Sequence, residues 1–337
     1  GSLTRELATC PSGDLTMHPK PRPTKLSRRA FSSLTASVAT GAFIGSQHGR
    51  HARAARPTPP KYAYIDVHTH LGRLHIDYPA LTTDGLLRWM DENHVEKAVV
   101  LPAVSPEASM YLSPPSVALA AAKAHPDRLI PFCCIDPRAN YGNTTTLRRM
   151  LEDFAASGAK GFGEHKVGLP FVHPLMMDVY GACEEVGLPI LFHLDQKRGT
   201  DRIDLPGVEH ALRNFPSAKF IGHGPGFWAS ISGDVKELRG RPKGKITPGG
   251  AIDRLLGKYS NLYCDLSAGS GANAMSRDPA FRDKFLVRHA NRILFGTDYL
   301  RPEQPIPQLE IYGSIDLPDD VKKKIFRQNA IDLLGLD

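Results

Sequence analysis

Cysteine is scarce in this chain. Five thiols, Cys10, Cys133, Cys134, Cys183 and Cys264, are spread over 337 residues. The odd number and loose spacing give no disulfide framework and fit folding in a reducing compartment. Cys133 and Cys134 are adjacent, and on a strand they would point to opposite faces, so small buried apolar groups are the expected role of the thiols. Long apolar runs are missing too. None approaches the about 20 residues of a membrane-spanning helix, so no stable membrane anchor is expected. No Gly-x-Gly-x-x-Gly follows the first β-rich run, which leaves a dinucleotide-binding fold without support. Nor does the body carry net charge. Residues 1–60 hold nine of the 42 Lys and Arg and two of the 35 Asp and Glu, so the remainder has thirty-three of each sign and the whole excess of +7 sits in the tail. A neutral body exerts no general pull on phosphate backbones, and nucleic acid is not an expected partner.

The tail reads as an address. Ser27-Arg28-Arg29-Ala30-Phe31 is a twin-arginine pattern, an uncharged stretch runs from Phe31 to Ser46, and Ala52-Arg53-Ala54 has the form of a small-residue cleavage site. That order is the order of a signal peptide, with Met17 as the natural start. The expectation is an N-terminal extension over 1–60, export by the twin-arginine machinery, and a periplasmic or extracellular location. Changing Arg28 and Arg29 to Lys should trap uncleaved chain in the cytoplasm; unaltered export of that double variant would refute the reading.

From residue 61 onward, short apolar runs alternate with amphipathic stretches. Strands are expected at Tyr62–Val67, Ala98–Leu101, Leu129–Ile135, Ala159–Gly163, Leu188–Phe192, Lys219–Ile221, Leu262–Cys264 and Arg292–Phe295. Helical periodicity lies between them, for example over Thr83–Asn93, Met176–Val186 and, at the end, Val321–Leu334. The stretch from Gly224 to Gly250 is rich in Gly, Pro and charge and reads as a functional loop or lid. Eight β units with intervening helices predict an α/β fold, a single (β/α)8 TIM barrel over 61–337.

Barrel enzymes place chemistry at the C-terminal ends of their strands. There the sequence sets His68 and His70 after the first run, His193 after the fifth, His223 after the sixth and Asp298 after the eighth. Residues two apart on a strand share a side, so His68 and His70 project together. Imidazole and carboxylate suit zinc or a similar divalent ion, manganese among them. Taken singly, each has a plainer reading: a polar strand end for a histidine, a helix cap for Asp298. Four at the ends of different strands make a metal centre the expectation. Other candidates are Glu164 and Lys166 on the fourth run, for metal or substrate or simply for each other, and Asp265, for substrate or as support to a histidine. Trp228 could wall the pocket or anchor the loop by burial. Lys197 and Arg198 are candidates for attracting a carboxylate, and His75, His165 and His173 for the rim.

At these residues the chain resembles the amidohydrolase superfamily, and within it the amidohydrolase-related branch that includes aminocarboxymuconate-semialdehyde and resorcylate decarboxylases and some lactonases. The resemblance runs from about Tyr64 to Leu336. It rests on Ile65-Asp66-Val67-His68-Thr69-His70, Leu191-Phe192-His193, Ile221-Gly222-His223-Gly224-Pro225-Gly226, Leu294-Phe295-Gly296-Thr297-Asp298 and Asn329-Ala330. It implies His68, His70, His193 and Asp298 as ligands of one divalent ion, with His223 beside it and Asp298 also taking a proton. Glu164 leaves a second ion open. The expected activity is hydrolysis: water activated by the metal attacks an ester, lactone or amide carbonyl of a small molecule. Decarboxylation in the same pocket is the alternative, and a secreted barrel that only binds its ligand is the third reading. An oligomer is compatible with all three.

Overall fold

A computed structural model of the protein describes residues 62–140 and 143–336. The twin-arginine segment, the cleavage site and Cys10 lie outside the described residues. Eight strands run in chain order: β1 Tyr64–Thr69, β2 Val95–Val100, β3 Leu129–Pro131, β4 Phe162–His165, β5 Ile190–His193, β6 Phe220–His223, β7 Leu262–Asp265 and β8 Ile293–Leu294. Parallel pairing joins β1 to β3 in one run and β4 to β8 in another, with register shifts in β1 and β4. Backbone bonds close both seams. Cys133 N–H donates to the Gly161 carbonyl and Gly163 N–H to the Cys133 carbonyl, at 2.9 and 2.8 Å. On the other side Val67 donates to Phe295, His70 to Tyr299 and Asp298 to His68, at 3.0, 3.0 and 2.8 Å. The result is a closed (β/α)8 barrel, as the alternation predicts.

The barrel interior is filled by Ile65, Val67, Val99, Leu101, Ile130, Phe132, Leu191, Ile221 and Leu294, each at most 4% exposed. Burying each side chain of this size contributes about 1.5–3 kcal/mol. Gly161 makes room for Phe132, whose ring atoms would lie 2.3 Å from any Cβ added there. Ala330 and Leu334, on the closing helix Asn329–Leu334, pack against this interior cluster. Asn329 explains its place in the sequence pattern: its buried amide donates to the carbonyls of Ala290 and Ile293 at 2.6 and 2.8 Å. Asn329→Ala would leave both carbonyls unpaired and should cost about 2–4 kcal/mol, read as a lowered urea midpoint; an unchanged midpoint would remove the amide from the stability account.

Helices begin earlier than their apolar faces suggest. Pro115, Pro174, Pro206, Pro225, Pro279 and Pro307 each start one, because a proline at the first position gives up an N–H that has no helical partner there. Three helices escape the periodicity altogether, among them Pro225–Ala229 inside the expected loop. Ala268–Ser276 is made of small residues, and Pro307–Gly313 is a short turn after the last strand. The Val321–Leu334 expectation resolves into Asp319–Lys323, a π-helical turn over Lys324–Gln328, and Asn329–Leu334. The four described cysteines are free and buried, and burial pushes the Cys133 thiol up to about 12. Among the described residues no helix is long and apolar enough to cross a membrane.

Candidate metal centre and its supports

The register of β1 shifts between Asp66 and Thr69, and His68 and His70 both bring their Nε2 atoms to one place. Asp66 is the deepest tie. Its carboxylate accepts from the backbone N–H of His68 and Thr297, at 2.9 and 3.0 Å, and from the Thr297 hydroxyl. Burial pushes its carboxyl up to about 8 despite those bonds. It thereby locks β1 to the Thr297-Asp298 turn. Asp298 itself has φ +60, a left-handed conformation that Asp and Asn tolerate better than most residues, and this turn aims its carboxylate back at β1.

His68 Nε2 and His70 Nε2 lie 3.1 Å apart, and Asp298 Oδ1 is 3.5 Å from each. Glu164 Oε2 is 3.9 and 3.6 Å from the same two nitrogens. The opposite ring nitrogens fix the tautomers. His68 Nδ1 faces the Asp265 carboxylate at 2.7 Å and His70 Nδ1 the Leu101 carbonyl at 2.9 Å. Both Nδ1 atoms must therefore donate, and both Nε2 atoms present lone pairs. Burial, then the neighbouring His223, push the His68 pKa down, in keeping with a neutral ring. Two lone pairs and the Asp298 carboxylate thus converge, with Glu164 Oε2 beside them, and Lys166 shares that same Oε2 at 3.3 Å. Such a set of acceptors is stable around a cation. Ligand atoms about 2.1 Å from a tetrahedral ion lie about 3.4 Å apart, close to the spacings found.

Glu164 turns its second oxygen the other way. Its Oε1 is 2.8 Å from His193 Nδ1 and 3.6 Å from His223 Nε2, and the three form a second group able to hold a metal ion. The four ligands expected for one ion are thus divided: His68, His70 and Asp298 share one group, while His193 sits in the other. Glu164 completes the second group and turns its other oxygen toward His68 and His70. Its carboxyl is held well below the usual range, because Lys166, His193 and His68 outweigh the burial that opposes ionisation. The imidazole pKa of His223 is raised. Burial works against it, but the hydrogen bond and charge of Asp265, with Glu164 and Asp298 behind, stabilise positive charge there.

Asp265 is a support, not a surface group. It is fully buried, and its Oδ2 bridges His68 Nδ1 and His223 Nδ1, at 2.7 and 3.0 Å. Trp228, also buried, donates its indole N–H to the Asp265 carbonyl at 2.9 Å. This is the anchoring role; Trp228 fixes the end of β7. The segment after β6 is well packed, with a short helix Pro225–Ala229 and buried Phe227, Ile231, Leu238 and Ile246. His165 is no rim residue. It faces away from Glu164, packs on Met176 and Tyr180, and is pushed down to about 4 by burial. His173 caps the helix Pro174–Val186, and His75 lies beside Tyr78.

Two supports escaped the sequence reading. Asp195 Oδ2 lies 2.9 Å from His193 Nε2, which leaves Nδ1 for Glu164, and Arg198 pairs with the same carboxylate at 2.8 Å. The Ser267 hydroxyl is 2.9 Å from His223 Nδ1 and 2.6 Å from Asp265. Each stands two residues beyond a recognised group, past the end of β5 or β7, where strand alternation no longer marks a side chain.

No curated protein matches the chain in sequence. Solved structures match the fold. An uncharacterised TIM-barrel protein from Bordetella bronchiseptica is 18% identical, with a TM-score of 0.57 over 75% of this chain and 83% of that one. A probable 2-pyrone-4,6-dicarboxylic acid hydrolase from Acinetobacter baumannii, with citric acid bound, is 15% identical, with a TM-score of 0.55 over 81% and 99%. A 5-carboxyvanillate decarboxylase mutant from Novosphingobium aromaticivorans, with manganese and 3-methoxy-4-hydroxy-5-nitrobenzoic acid bound, is 16% identical, with a TM-score of 0.50 over 82% and 98%. The family model described as Amidohydrolase matches residues 65–336, nearly the whole described barrel, and the chain belongs to that family.

Proposed function

We propose that the protein is a metal-dependent hydrolase of small-molecule esters, lactones or amides, with two divalent ions held on either side of Glu164. The observation that carries this reading is that Glu164 offers one oxygen to each nitrogen group. His68, His70 and Asp298 would hold one ion, and His193 and His223 the other. Bound there, the ions would supply Lewis acidity toward a carbonyl and lower the pKa of water, and paired ions are a recurrent arrangement for hydrolytic displacement.

The chain's own groups supply the rest. Asp298 is one-fifth exposed, ionised, and open to the mouth; it takes a proton from the attacking water and returns one to the leaving group. Asp265 and Asp195 hold the rings of His68, His223 and His193 in register, each fixing which nitrogen faces the centre. The buried surroundings strengthen every charge interaction there. Nitrogen and carboxylate donors suit zinc or manganese.

The raised pKa of His223 favours a second reading, in which a proton rather than an ion occupies its Nε2. A single ion and a cationic His223 would then hold a carboxylate for decarboxylation. Two decarboxylase-type outcomes separate the readings: one equivalent of metal instead of two, and carbon dioxide as product. Dialysis against a chelator should abolish hydrolysis of a panel of esters and lactones, and Zn or Mn should restore it. Turnover that survives complete metal removal would refute both readings, and metal-loaded protein that binds but converts nothing would support the purely binding one.

A further inference from the structure

A serine at the start of a helix ordinarily accepts a hydrogen bond from an N–H of the first turn. Ser267 stands just before the helix Ala268–Ser276 but makes no such bond. Its hydroxyl is turned inward instead, 2.6 Å from Asp265 Oδ2 and 2.9 Å from His223 Nδ1. The carboxylate can only accept, so the Ser267 O–H donates to it and the Ser267 oxygen accepts from His223 Nδ1. The place of this serine therefore sets the angle of the His223 ring. With its hydroxyl spent on the interior, the turn needs another support. Ala268 has φ +59, a left-handed conformation uncommon for a residue with a Cβ. The Ala268 N–H reaches the Thr297 carbonyl only at 3.3 Å.

Gln308 supplies that support. It is fully buried, on the helix Pro307–Gly313 that follows the last strand. Its amide nitrogen donates to the Leu266 carbonyl at 3.0 Å and to the Ala268 carbonyl at 2.7 Å. Leu266 and Ala268 are the residues on either side of Ser267. Both amide hydrogens are used, and the sense of the amide is fixed, because turning it over would set oxygen against two carbonyl oxygens. Asn329 does the same chemistry elsewhere. Its amide holds the Ala290 and Ile293 carbonyls at the entry to β8, the end of that strand opposite Asp298. The two amides are alike in burial and bonding, and only Gln308 acts beside a serine that touches the centre.

We infer that Gln308 is a positioning residue of the centre: by holding both flanks of Ser267 it sets the serine hydroxyl against His223 Nδ1 and so aims His223 Nε2. A displaced serine frees the ring to turn, and the opposite nitrogen then misses the place it serves. Turnover as the readout rests on the hydrolytic reading above; the positioning itself does not.

The test uses the full-length, metal-loaded protein and the fastest ester or lactone of the panel. Gln308→Met keeps most of the volume and removes both donors; it should lower kcat about tenfold and leave KM within about twofold. Ser267→Ala should lower kcat roughly 10- to 100-fold. The double variant should be no slower than Ser267→Ala alone, since residues that act through one contact do not add. Asn329→Ala breaks the matching pair of bonds and should lose comparable stability with kcat unchanged. Gln308→Asn keeps an amide that is one methylene short; it should show a smaller loss, again in kcat, and carries the test if Gln308→Met does not fold. Full turnover in Gln308→Met and Gln308→Asn, multiplied losses in the double variant, or an equal kcat loss in Asn329→Ala overturns the inference. If wild type converts none of the panel, nuclear magnetic resonance of protein with isotope-labelled histidine takes over. A His223 Nδ1 proton signal displaced in Gln308→Met and Ser267→Ala alike keeps the positioning role while the hydrolytic reading falls, and a signal unmoved in Gln308→Met removes that role.

Discussion

Glu164→Ala should reduce bound divalent metal from two equivalents per chain to one or fewer, and lower turnover at least about a thousandfold. The size follows from geometry. Glu164 is the one carboxylate with an oxygen toward each nitrogen group, 3.6 Å from His70 Nε2 on one side and 2.8 Å from His193 Nδ1 on the other. Its loss takes a negative charge from both positions at once. Several kcal/mol of charge stabilisation go with it, at about 1.4 kcal/mol per tenfold. Lys166 would also be released from its 3.3 Å partner and left near the same point as an uncompensated cation, which opposes metal further. Glu164→Gln separates charge from shape, since the amide keeps the volume. Elemental analysis of both variants checks the prediction, with circular dichroism as the folding control. Two equivalents retained in Glu164→Ala would remove Glu164 from the centre, and one equivalent in the wild type would return the single-ion arrangement.

The second large effect is expected at Asp298. Asp298→Asn should lower kcat by about 10²–10⁴ while leaving the fold in place, because asparagine accepts the left-handed backbone at φ +60. Its pH dependence has a definite sign. Burial alone would raise the Asp298 carboxyl, but His68 and His70 outweigh it and hold it below the ordinary range. The ionised, proton-accepting form is therefore fully present above the usual aspartate value of about 4, and is lost only as pH falls through the lower folded value. Its favourable charge interactions in the folded state fade in the same direction. Wild-type turnover should show no loss attributable to Asp298 between about pH 5 and pH 8. A full-strength Asp298→Asn variant, or a wild-type acid limb near neutrality that this variant abolishes, would contradict the assignment.

Much of the centre was readable along single strands. His68 and His70 stand two apart at the end of one apolar run, and the ends of β5, β6 and β8 follow from their apolar runs. What escaped has a common cause. Asp195 and Ser267 act by touching a histidine, His193 in one case and His223 in the other, and nothing in a local pattern marks an aspartate or serine as a partner. His165 shows the converse. Adjacent to Glu164 in sequence, it lies on the other face of β4, buried against Met176. The helix Ala268–Ser276 went unseen because glycine and alanine leave no apolar stripe.

The sequence by itself determined the alternation of strand and helix, the eightfold count and the set of histidines and acids at the strand ends, since each depends on periodicities of two or 3.6 residues. Only the tertiary structure decided how that set divides. Whether Glu164 faces one ion position or two, and which nitrogen of His193 turns to Glu164, depend on contacts between β1, β4, β5 and the loops after β5 and β7. Those contacts join residues tens to hundreds of positions apart, and they are fixed by closing the barrel at its two seams rather than by any neighbour along the chain.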